Sequence, residues 1–295
     1  MKDELSILIP TYNGICAPLV QHLFEQAAAV RGLRYEILVA DDGSTDKVIM
    51  EANRSINNLP NCRMLERGYN SGRAAIRNYL AQQARYNWLL FIDGDMTIIS
   101  RQFLYLYLNS LGEQVIYGGY AVGKGEKSNL RYRYEKASEP FHRAECRQQQ
   151  PYRDFHTSNF MISRELMLAH PFDERFKNYG YEDVFFGKVL RQQHVKIQHI
   201  DNPVGFNIFE GNKEFLRKTE EGIRTLHEFR EELRGYNNLL TLVGGIHLEA
   251  VRSIIRLWHH LFGRLERKSL EGENPSLTIF KLYKLGYYLT LTKND

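Results

Sequence analysis

Short apolar runs alternate with segments of helical period along much of the chain. The runs cover residues 5–9, 35–40, 62–65, 88–92, 115–117, 155–163 and 195–200. Their length and their β-branched and aromatic residues predict strands, and the continuous run at 88–92 predicts a strand buried on both faces. Helical period marks residues 18–30 and 100–111 and the stretches that begin near Gly72 and at Glu182. This alternation predicts an α/β fold, a Rossmann-like mixed sheet flanked by helices, with its loops gathered at one edge.

Two further stretches set the predicted domain organisation. Residues 122–153 are polar, basic and irregular, which predicts a mobile loop or a helical insertion over the site. Asn212 is the predicted cap of a long helix that ends at Gly235. We therefore predict a catalytic domain over residues 1–235 and a helical, basic and aromatic C-terminal extension over residues 236–295.

The extension contains a basic amphipathic segment at residues 247–268. Its apolar face carries Leu248, Val251, Ile254, Ile255, Trp258, Leu261, Phe262 and Leu265. Two interpretations stay open. The face packs on the catalytic domain or a partner subunit, or it makes a peripheral contact with an anionic membrane, where lipid-linked acceptors reside.

Composition and charge narrow the class of protein. The chain has 295 residues, of which 43% are hydrophobic and 25% charged, as in a folded globular protein. A net charge of +4 is too small to indicate a nucleic-acid partner. The three cysteines lack metal-ligand spacing, which favours a reducing compartment without structural zinc. With no apolar signal region and no run of membrane-spanning length, we expect a cytoplasmic protein, peripheral at the inner face of the membrane if the amphipathic segment binds lipid.

Acidic residues follow the predicted strands and open a later helix. They are Asp41, Asp42, Asp93, Asp95, Glu182 and Asp183. In open α/β sheets, ligands bind beyond the carboxyl ends of the strands, so these side chains are expected at one edge. The two aspartates of Asp93-Gly94-Asp95 can hold one divalent cation, which then clamps a diphosphate. Each position also has a simpler explanation, a turn at Asp93 and a helix cap at Asp42 or Asp183.

Four segments carry a family resemblance. They are SILIPTYN at residues 6–13, ILVADDGSTD at 37–46, NSGRAAIRN at 70–78 and FIDGD at 91–95. In this order and spacing, residues 5–235 resemble the inverting glycosyltransferases of family 2, nucleotide-diphospho-sugar transferases with a GT-A fold. GYEDVFFG at residues 180–187 is similar to the Glu-Asp motif of the galactosyltransferase-like and chondroitin-polymerase-like members.

The resemblance implies a role for each matching residue. Pro10, Tyr12 and Asp42 would hold the nucleobase and ribose, and Asp183 would be the general base, with Glu182 binding the acceptor or donor sugar. The nucleotide-sugar-binding set implied in this way is Pro10, Tyr12, Asp41, Asp42, Asn70, Gly72, Arg73, Arg77, Asp93 and Gly94. Within this set, Arg77 would support the diphosphate and Asp93 the sugar and ribose. Asp95 would ligate Mn²⁺ or Mg²⁺, with Asp93 and Asn207 as further metal ligands.

One position departs from the family pattern. Phe206 stands where many members with the Glu-Asp motif place a metal-binding histidine, and phenylalanine cannot ligate a metal. Asn207 could supply a carbonyl oxygen instead, His199 could reach in, or water and phosphate could complete the coordination.

The sequence thus predicts a metal-dependent transferase that moves a sugar from a nucleotide donor, with a UDP-sugar favoured, to a hydroxyl of a glycan or lipid-linked acceptor. Surface polysaccharide synthesis is the expected setting. Two alternatives stay open. The acceptor is a polyprenyl phosphate, which needs no strong general base, or the chain is a nucleotide-sugar-binding subunit with little turnover.

Overall fold

The computed structural model of the chain describes residues 1–110, 112 and 114–292. The last residue of the predicted helix at 100–111 and the last three residues of the extension lie outside the described residues. The ten described strands are β1 Glu4–Thr11, β2 Arg34–Asp41, β3 Cys62–Glu66, β4 Trp88–Ile92, β5 Met96–Ile98, β6 Val115–Tyr117, β7 Tyr120–Val122, β8 Asn159–Ser163, β9 Ile197–His199 and β10 Val204–Phe206.

The described part of the chain contains twelve α-helices. They are α1 Ala17–Ala29, α2 Lys47–Arg54, α3 Arg73–Gln83, α4 Phe103–Asn109, α5 Leu130–Ser138, α6 Ala144–Gln148, α7 Arg164–Ala169, α8 Glu182–Gln192, α9 Asn212–Glu228, α10 Asn238–Gly245, α11 Glu249–Glu271 and α12 Leu277–Leu291. Helices α5 and α6 lie within residues 122–153, as the helical interpretation of that stretch predicts.

A mixed sheet of seven strands in the order β3-β2-β1-β4-β8-β6-β9 forms the centre of the first compact unit, which comprises Met1–Gly123, Phe141–Lys177 and Glu182–Ile208. Strands β1 to β4 are parallel, and β8 runs antiparallel to both β4 and β6. A second sheet in the same unit has the order β5-β10-β7. The predicted Rossmann-like mixed sheet flanked by helices is therefore confirmed.

The apolar runs are buried because helices cover the central sheet. Leu5, Ile7, Leu8 and Ile9 of β1 have no exposed surface, as expected for a strand covered on both faces. Aromatic rings fill the core beside β4, where Phe91 stacks on Phe160 with ring centroids 4.9 Å apart. This packing fixes the ends of the parallel strands, which carry the predicted site.

The second compact unit comprises Lys124–Pro140, Asn178–Tyr181 and Phe209–Asp295. Its helices share one hydrophobic cluster, which contains Leu130, Phe215, Leu216, Leu270, Phe280 and Tyr283. The predicted boundary after residue 235 falls inside this unit and would assign helices of one cluster to different domains. Among the described residues, no helix is long and apolar enough to span a bilayer.

Two predictions about α9 are wrong. The helix ends at Glu228 and not at Gly235. Asn212 does not cap it, since its side-chain oxygen accepts a hydrogen bond from the backbone N–H of Leu130 at 2.7 Å and Gly211 occupies the cap position. The Asn212 amide instead donates to the carbonyl oxygens of Ser128 and Gly272, so it ties α9 to neighbouring segments of the same unit.

Candidate active site

The loops after β1 and β4 touch at the carboxyl edge of the central sheet. Gly94 donates its backbone N–H to the carbonyl oxygen of Pro10 at 3.3 Å. A Cβ atom at position 94 would lie 2.9 Å from that oxygen, closer than real side chains approach. Glycine therefore lets the Asp93-Gly94-Asp95 loop lie directly against the end of β1.

Asn13 joins the loop after β1 to the loop after β2. Its side-chain oxygen accepts from the backbone N–H groups of Thr45 and Asp46 at 2.9 and 3.2 Å. Its own N–H donates to the Ser44 hydroxyl at 2.7 Å, and its φ of 48° suits asparagine better than most residues. The two loops are thus held as one piece, and the neighbouring Tyr12 ring is half exposed.

Asp41 and Asp42 both shape these loops, and neither caps a helix. Asp41 is fully buried and accepts from the Ser44 N–H at 2.7 Å. Asp42 accepts from the N–H and hydroxyl of Ser71 at 3.0 and 2.6 Å and from the N–H of Gly72 at 3.0 Å. Since Asp46 caps α2, the cap interpretation of Asp42 is wrong. Asp42 instead fixes the segment that leads into α3.

The entry to α3 depends on Asn70 and Gly72. The Asn70 side-chain oxygen accepts from the Gly72 N–H at 3.1 Å. Gly72 has a φ of 92°, which residues with a side chain rarely adopt, and a Cβ there would lie 3.1 Å from the Lys177 carbonyl oxygen. The turn sets the direction of α3 and therefore the positions of the arginines in its first turns.

Arg73 and Arg77 link the loop after β4 to the start of α8. Arg77 Nη2 lies 2.5 Å from Asp93 Oδ1, and Arg73 Nε lies 2.6 Å from Glu182 Oε1. Two longer contacts of 3.6 Å complete the network, Arg73 to Asp93 and Arg77 to Glu182. Arg77 and Glu182 are almost fully buried, whereas the Arg73 side chain is 45% exposed. The spacing of four residues on one helix lets both arginines reach the same two carboxylates.

Asp183 is held by a histidine that the motifs did not indicate. Its Oδ2 lies 3.0 Å from Nδ1 of His156, and its Oδ1 accepts from the N–H of Val184 at 2.8 Å. Burial raises the pKa of Asp183, but the hydrogen bond and charge of His156 outweigh it, so the pKa lies below the ordinary value. The Asp183 carboxylate is therefore ionised and held in one orientation, and the Asp183 side chain is 20% exposed.

Sequence reasoning missed His156 because the residue belongs to no motif. It stands two residues after Asp154 in an irregular stretch, and only the strand that begins at Asn159 brings it to Asp183. The available signal was its position near the start of the apolar run at residues 155–163, of which only Asn159–Ser163 forms a strand of the central sheet. A histidine there can reach the edge at which the carboxylates were expected.

Asp95 and Asn207 lie at the same end of the small sheet. In the antiparallel ladder of β5 and β10, Met96 is opposite Phe206, and Asp95 and Asn207 are the next residues on the two strands. Asn207 is exposed, and its amide donates to the Thr97 hydroxyl at 2.6 Å. Carboxylate and carbonyl oxygens are the ligands that Mg²⁺ and Mn²⁺ prefer, so this pair fits part of a cation site.

Two other candidate metal ligands, His199 and Asp93, fit a cation site less well than Asp95 and Asn207. His199 is buried, with Nδ1 3.1 Å from Arg147 Nη1 and Nε2 2.9 Å from the Pro151 carbonyl oxygen, and burial lowers its pKa to about 4. The suggestion that His199 reaches the metal is therefore wrong. Asp93 is already paired with Arg77. The described residues contain no group of three His, Cys, Asp or Glu side chains placed to hold a metal ion, so substrate oxygens would have to complete the site.

Four parallel strands with acidic loops at their carboxyl edge, and an antiparallel strand beside them, form a sheet of the GT-A type. The model of glycosyl transferase family 2 matches residues 6–169, more than half of the chain. The chain belongs to glycosyl transferase family 2.

Chondroitin synthases are among its curated relatives. The protein from Escherichia coli is 26% identical over 244 residues, which cover 70% of this chain and 34% of that protein. The protein from Pasteurella multocida is 25% identical over 256 residues, or 74% of this chain and 26% of that protein. The chain thus spans about a third or less of the length of these relatives.

Solved structures of transferases share the fold at low identity. A mannosyltransferase from Pyrobaculum calidifontis, in complex with GDP-Man and Mn²⁺, has a TM-score of 0.60 at 14% identity, covering 100% of this chain and 87% of that one. S. aureus TarS 1–349, in complex with UDP-GlcNAc, has a TM-score of 0.52 at 16% identity, covering 100% and 91%.

Proposed function

We propose that this chain is a metal-dependent, inverting glycosyltransferase that moves a sugar from a nucleoside-diphosphate donor, with a UDP-sugar favoured, to a hydroxyl of a glycan or lipid-linked acceptor. The observation that carries the proposal is the ion-pair network in which Arg73 and Arg77 join Asp93 to Glu182. It brings the start of α8, with Asp183, to the Asp-Gly-Asp loop. A base and a diphosphate site must lie this close for one displacement reaction.

The donor side would use the loops after β1, β2 and β4. Tyr12 offers a half-exposed ring for the nucleobase, and Pro10 and Asp42 line the same edge. Arg73 keeps part of its guanidinium exposed and supplies positive charge for the diphosphate. Arg77 is buried, so we assign it the positioning of Asp93 and Glu182, and not contact with phosphate.

Asp95 and Asn207 would hold Mn²⁺ or Mg²⁺ together with oxygens of the donor. Bound there, the ion would neutralise charge on the departing nucleoside diphosphate. A site with few protein ligands suits a cation that is bound partly through substrate phosphates. The mannosyltransferase solved with GDP-Man and Mn²⁺ has the same fold and supports this kind of donor and cofactor.

Asp183 would act as the general base. The acceptor hydroxyl oxygen forms a bond to the anomeric carbon, its proton passes to Oδ1 or Oδ2 of Asp183, and the bond from the anomeric carbon to the diphosphate oxygen breaks. One in-line displacement inverts the anomeric centre. The contacts of Asp183 with His156 and Val184 keep the carboxylate ionised and oriented, as a base requires. This favours a hydroxyl acceptor over a polyprenyl phosphate, which needs no base.

A donor screen tests the proposal. UDP-, GDP- and dTDP-sugars, each with and without Mn²⁺, are compared by the thermal shift of the full chain, and hits are assayed for release of nucleoside diphosphate with glycan and polyprenyl-phosphate acceptors. We expect metal-dependent stabilisation by a UDP-sugar and turnover with a hydroxyl acceptor. Absence of any stabilisation would refute the transferase proposal. Tight binding without turnover would favour a binding subunit.

A further inference from the structure

Helix α11 packs largely through polar and small residues, and Leu270 near its C-terminal end is its one fully buried apolar side chain among the described residues. Gly263, Glu266 and Leu270 are the buried positions of the helix. His259 lies on the same side, with its ring against Gly286 of α12, where a Cβ would come within 2.7 Å of it. Within this second unit, glycine at position 286 is what allows the two helices to approach.

The opposite face of α11 is apolar and exposed. Ile254, Leu261 and Leu265 are 67%, 60% and 62% exposed, and Trp258 is 46% exposed. The spacing of these residues at three and four positions aligns them along one side of the helix. Val251, Leu257 and Phe262 are also exposed and widen this surface, which we call the α11 apolar face. A continuous exposed apolar strip of this kind marks a binding surface.

Basic side chains border the α11 apolar face. His260, Arg264 and Lys268 follow at intervals of four residues and are exposed. Within the part of the chain that the structure describes, Arg264 and Lys268 take part in no ion pair. The acidic side chains of the helix point elsewhere: Glu266 is buried against His259 and Trp258, and Glu249 and Glu271 pair with Arg256 and Arg267. The row beside the apolar face is therefore purely basic.

We propose that the α11 apolar face lies on the surface of an anionic lipid bilayer, with the apolar side chains at the acyl boundary and Arg264 and Lys268 at the headgroups. An apolar strip edged by unpaired basic residues on one helix is the arrangement that binds lipid interfaces. A protein partner would have to match both an apolar strip and a row of positive charges. A bilayer of acidic lipids presents an apolar layer and negatively charged headgroups over its whole surface. The residues of this face belong to the second unit and take no part in the proposed chemistry, so the proposal does not rest on the proposed function.

Trp258 gives a direct probe, because the chain has two tryptophans and Trp88→Phe leaves Trp258 as the only one. The full-length Trp88→Phe chain is mixed with vesicles of phosphatidylcholine alone and of phosphatidylcholine with phosphatidylglycerol, at low salt. We expect a blue shift of the emission and co-sedimentation with the acidic vesicles only. Each basic residue near an acidic surface contributes about 1 kcal/mol, so Arg264→Gln with Lys268→Gln should weaken partitioning about 30-fold.

Matched variants separate the charge and apolar contributions. Ile254→Ser with Leu261→Ser should remove most binding even at low salt, because it deletes buried apolar area. Ile99→Ser, at an exposed apolar residue of the first unit, and Arg31→Gln with Lys47→Gln, at two exposed basic residues there, should leave partitioning unchanged. Circular dichroism confirms that each variant is folded.

Three results would overturn the proposal. One is an unchanged Trp258 emission with acidic vesicles, and another is equal binding by the apolar double variant. The third is a concentration-dependent dimer that Ile254→Ser with Leu261→Ser dissociates while vesicles bind neither form. That result would assign the face to contacts between copies of the chain.

Discussion

His156 Nδ1 lies 3.0 Å from Asp183 Oδ2, although 27 positions separate the two residues in the sequence. The backbone N–H of Val184 holds the other carboxylate oxygen at 2.8 Å. A carboxylate fixed at both oxygens keeps one orientation, and its lowered pKa keeps it ready to accept a proton. The proposed role of Asp183 as base can therefore be tested in two ways, by substituting Asp183 and by substituting His156.

Asp183→Asn should lower kcat by about 10²–10⁴-fold, the usual contribution of a general base. Asparagine keeps the shape and can still accept from Val184, but it cannot take the proton. Donor Kd should change little because Asp183 would face the acceptor. Single-turnover kinetics and calorimetry with donor measure the two quantities. If Asp183 only caps α8, asparagine serves equally well, and a wild-type rate would favour the polyprenyl-phosphate alternative.

His156→Phe should shift the acid limb of the kcat/KM profile to higher pH. His156 is what lowers the pKa of Asp183 against the effect of burial, so its removal raises that pKa. Asp183 is then protonated, and inactive as a base, at a higher pH than in the wild type. His170→Phe, at the end of α7, is the control and should leave the profile in place. A drop in rate without any shift of the limb would mean that His156 acts only on packing.

Asp95→Ala should abolish the metal-dependent part of UDP binding and leave the metal-free affinity nearly unchanged. Loss of a group one shell outside a metal costs about 10–100-fold in metal affinity, so loss of a direct ligand should cost at least that. Calorimetry with UDP, with and without Mn²⁺, measures both affinities. Asn207→Ala should weaken the metal-dependent UDP affinity by less, since an amide oxygen is a weaker metal ligand than a carboxylate. Equal Mn²⁺ dependence in wild type and Asp95→Ala would remove the metal assignment.

Arg77→Met should lower the free energy of unfolding by about 1–3 kcal/mol, because it removes the buried partner of Asp93, which then keeps only the longer contact with Arg73. Urea denaturation measures the change. Adding Asp93→Asn and Glu182→Gln to the same chain should recover part of the loss. Arg54→Met removes an exposed pair with Glu66 and should hardly move the denaturation midpoint. Equal shifts for Arg77→Met and Arg54→Met would contradict a stabilising network.

The strands of the central sheet were largely predictable from the apolar runs, although β8 begins four residues later than its predicted run at 155–163. The run at residues 88–92 is β4 to the residue, and β1 extends its predicted run by only one or two residues at each end. Helix ends were less predictable, since they depend on tertiary contacts. Asn212 is a residue type that often caps helices, yet its amide donates hydrogen bonds to the carbonyl oxygens of Ser128 and Gly272. No local sequence pattern reveals these contacts.

The candidate site divides in the same way. The position of Asp93 directly after β4 was predictable from the apolar run at residues 88–92, whereas Asp183 at the start of α8 was singled out by the resemblance of residues 180–187 to a family motif. The pairing of Arg77 with Asp93 and the approach of His156 depend on how separate segments pack, and neither has a local signal. Periodicity also identified the amphipathic character of α11 but could not say which face is buried. The buried face contains Gly263, Glu266 and Leu270, and it includes the His259 ring that lies against Gly286 of α12, a contact that no periodicity reveals.

The bridge made by Asn13 constrains any exchange of parts between family members. Thr45 and Asp46 donate to its side chain, and Ser44 accepts from its backbone, so the loop after β2 takes its shape from a residue of the loop after β1. A graft of residues 42–46 from another transferase, made to change the choice of nucleobase, would have to fit the position of Asn13 in this chain and would leave behind the neighbouring loop of its own parent protein. The two loops would have to be exchanged together, because their hydrogen bonds make them one structural unit in this protein.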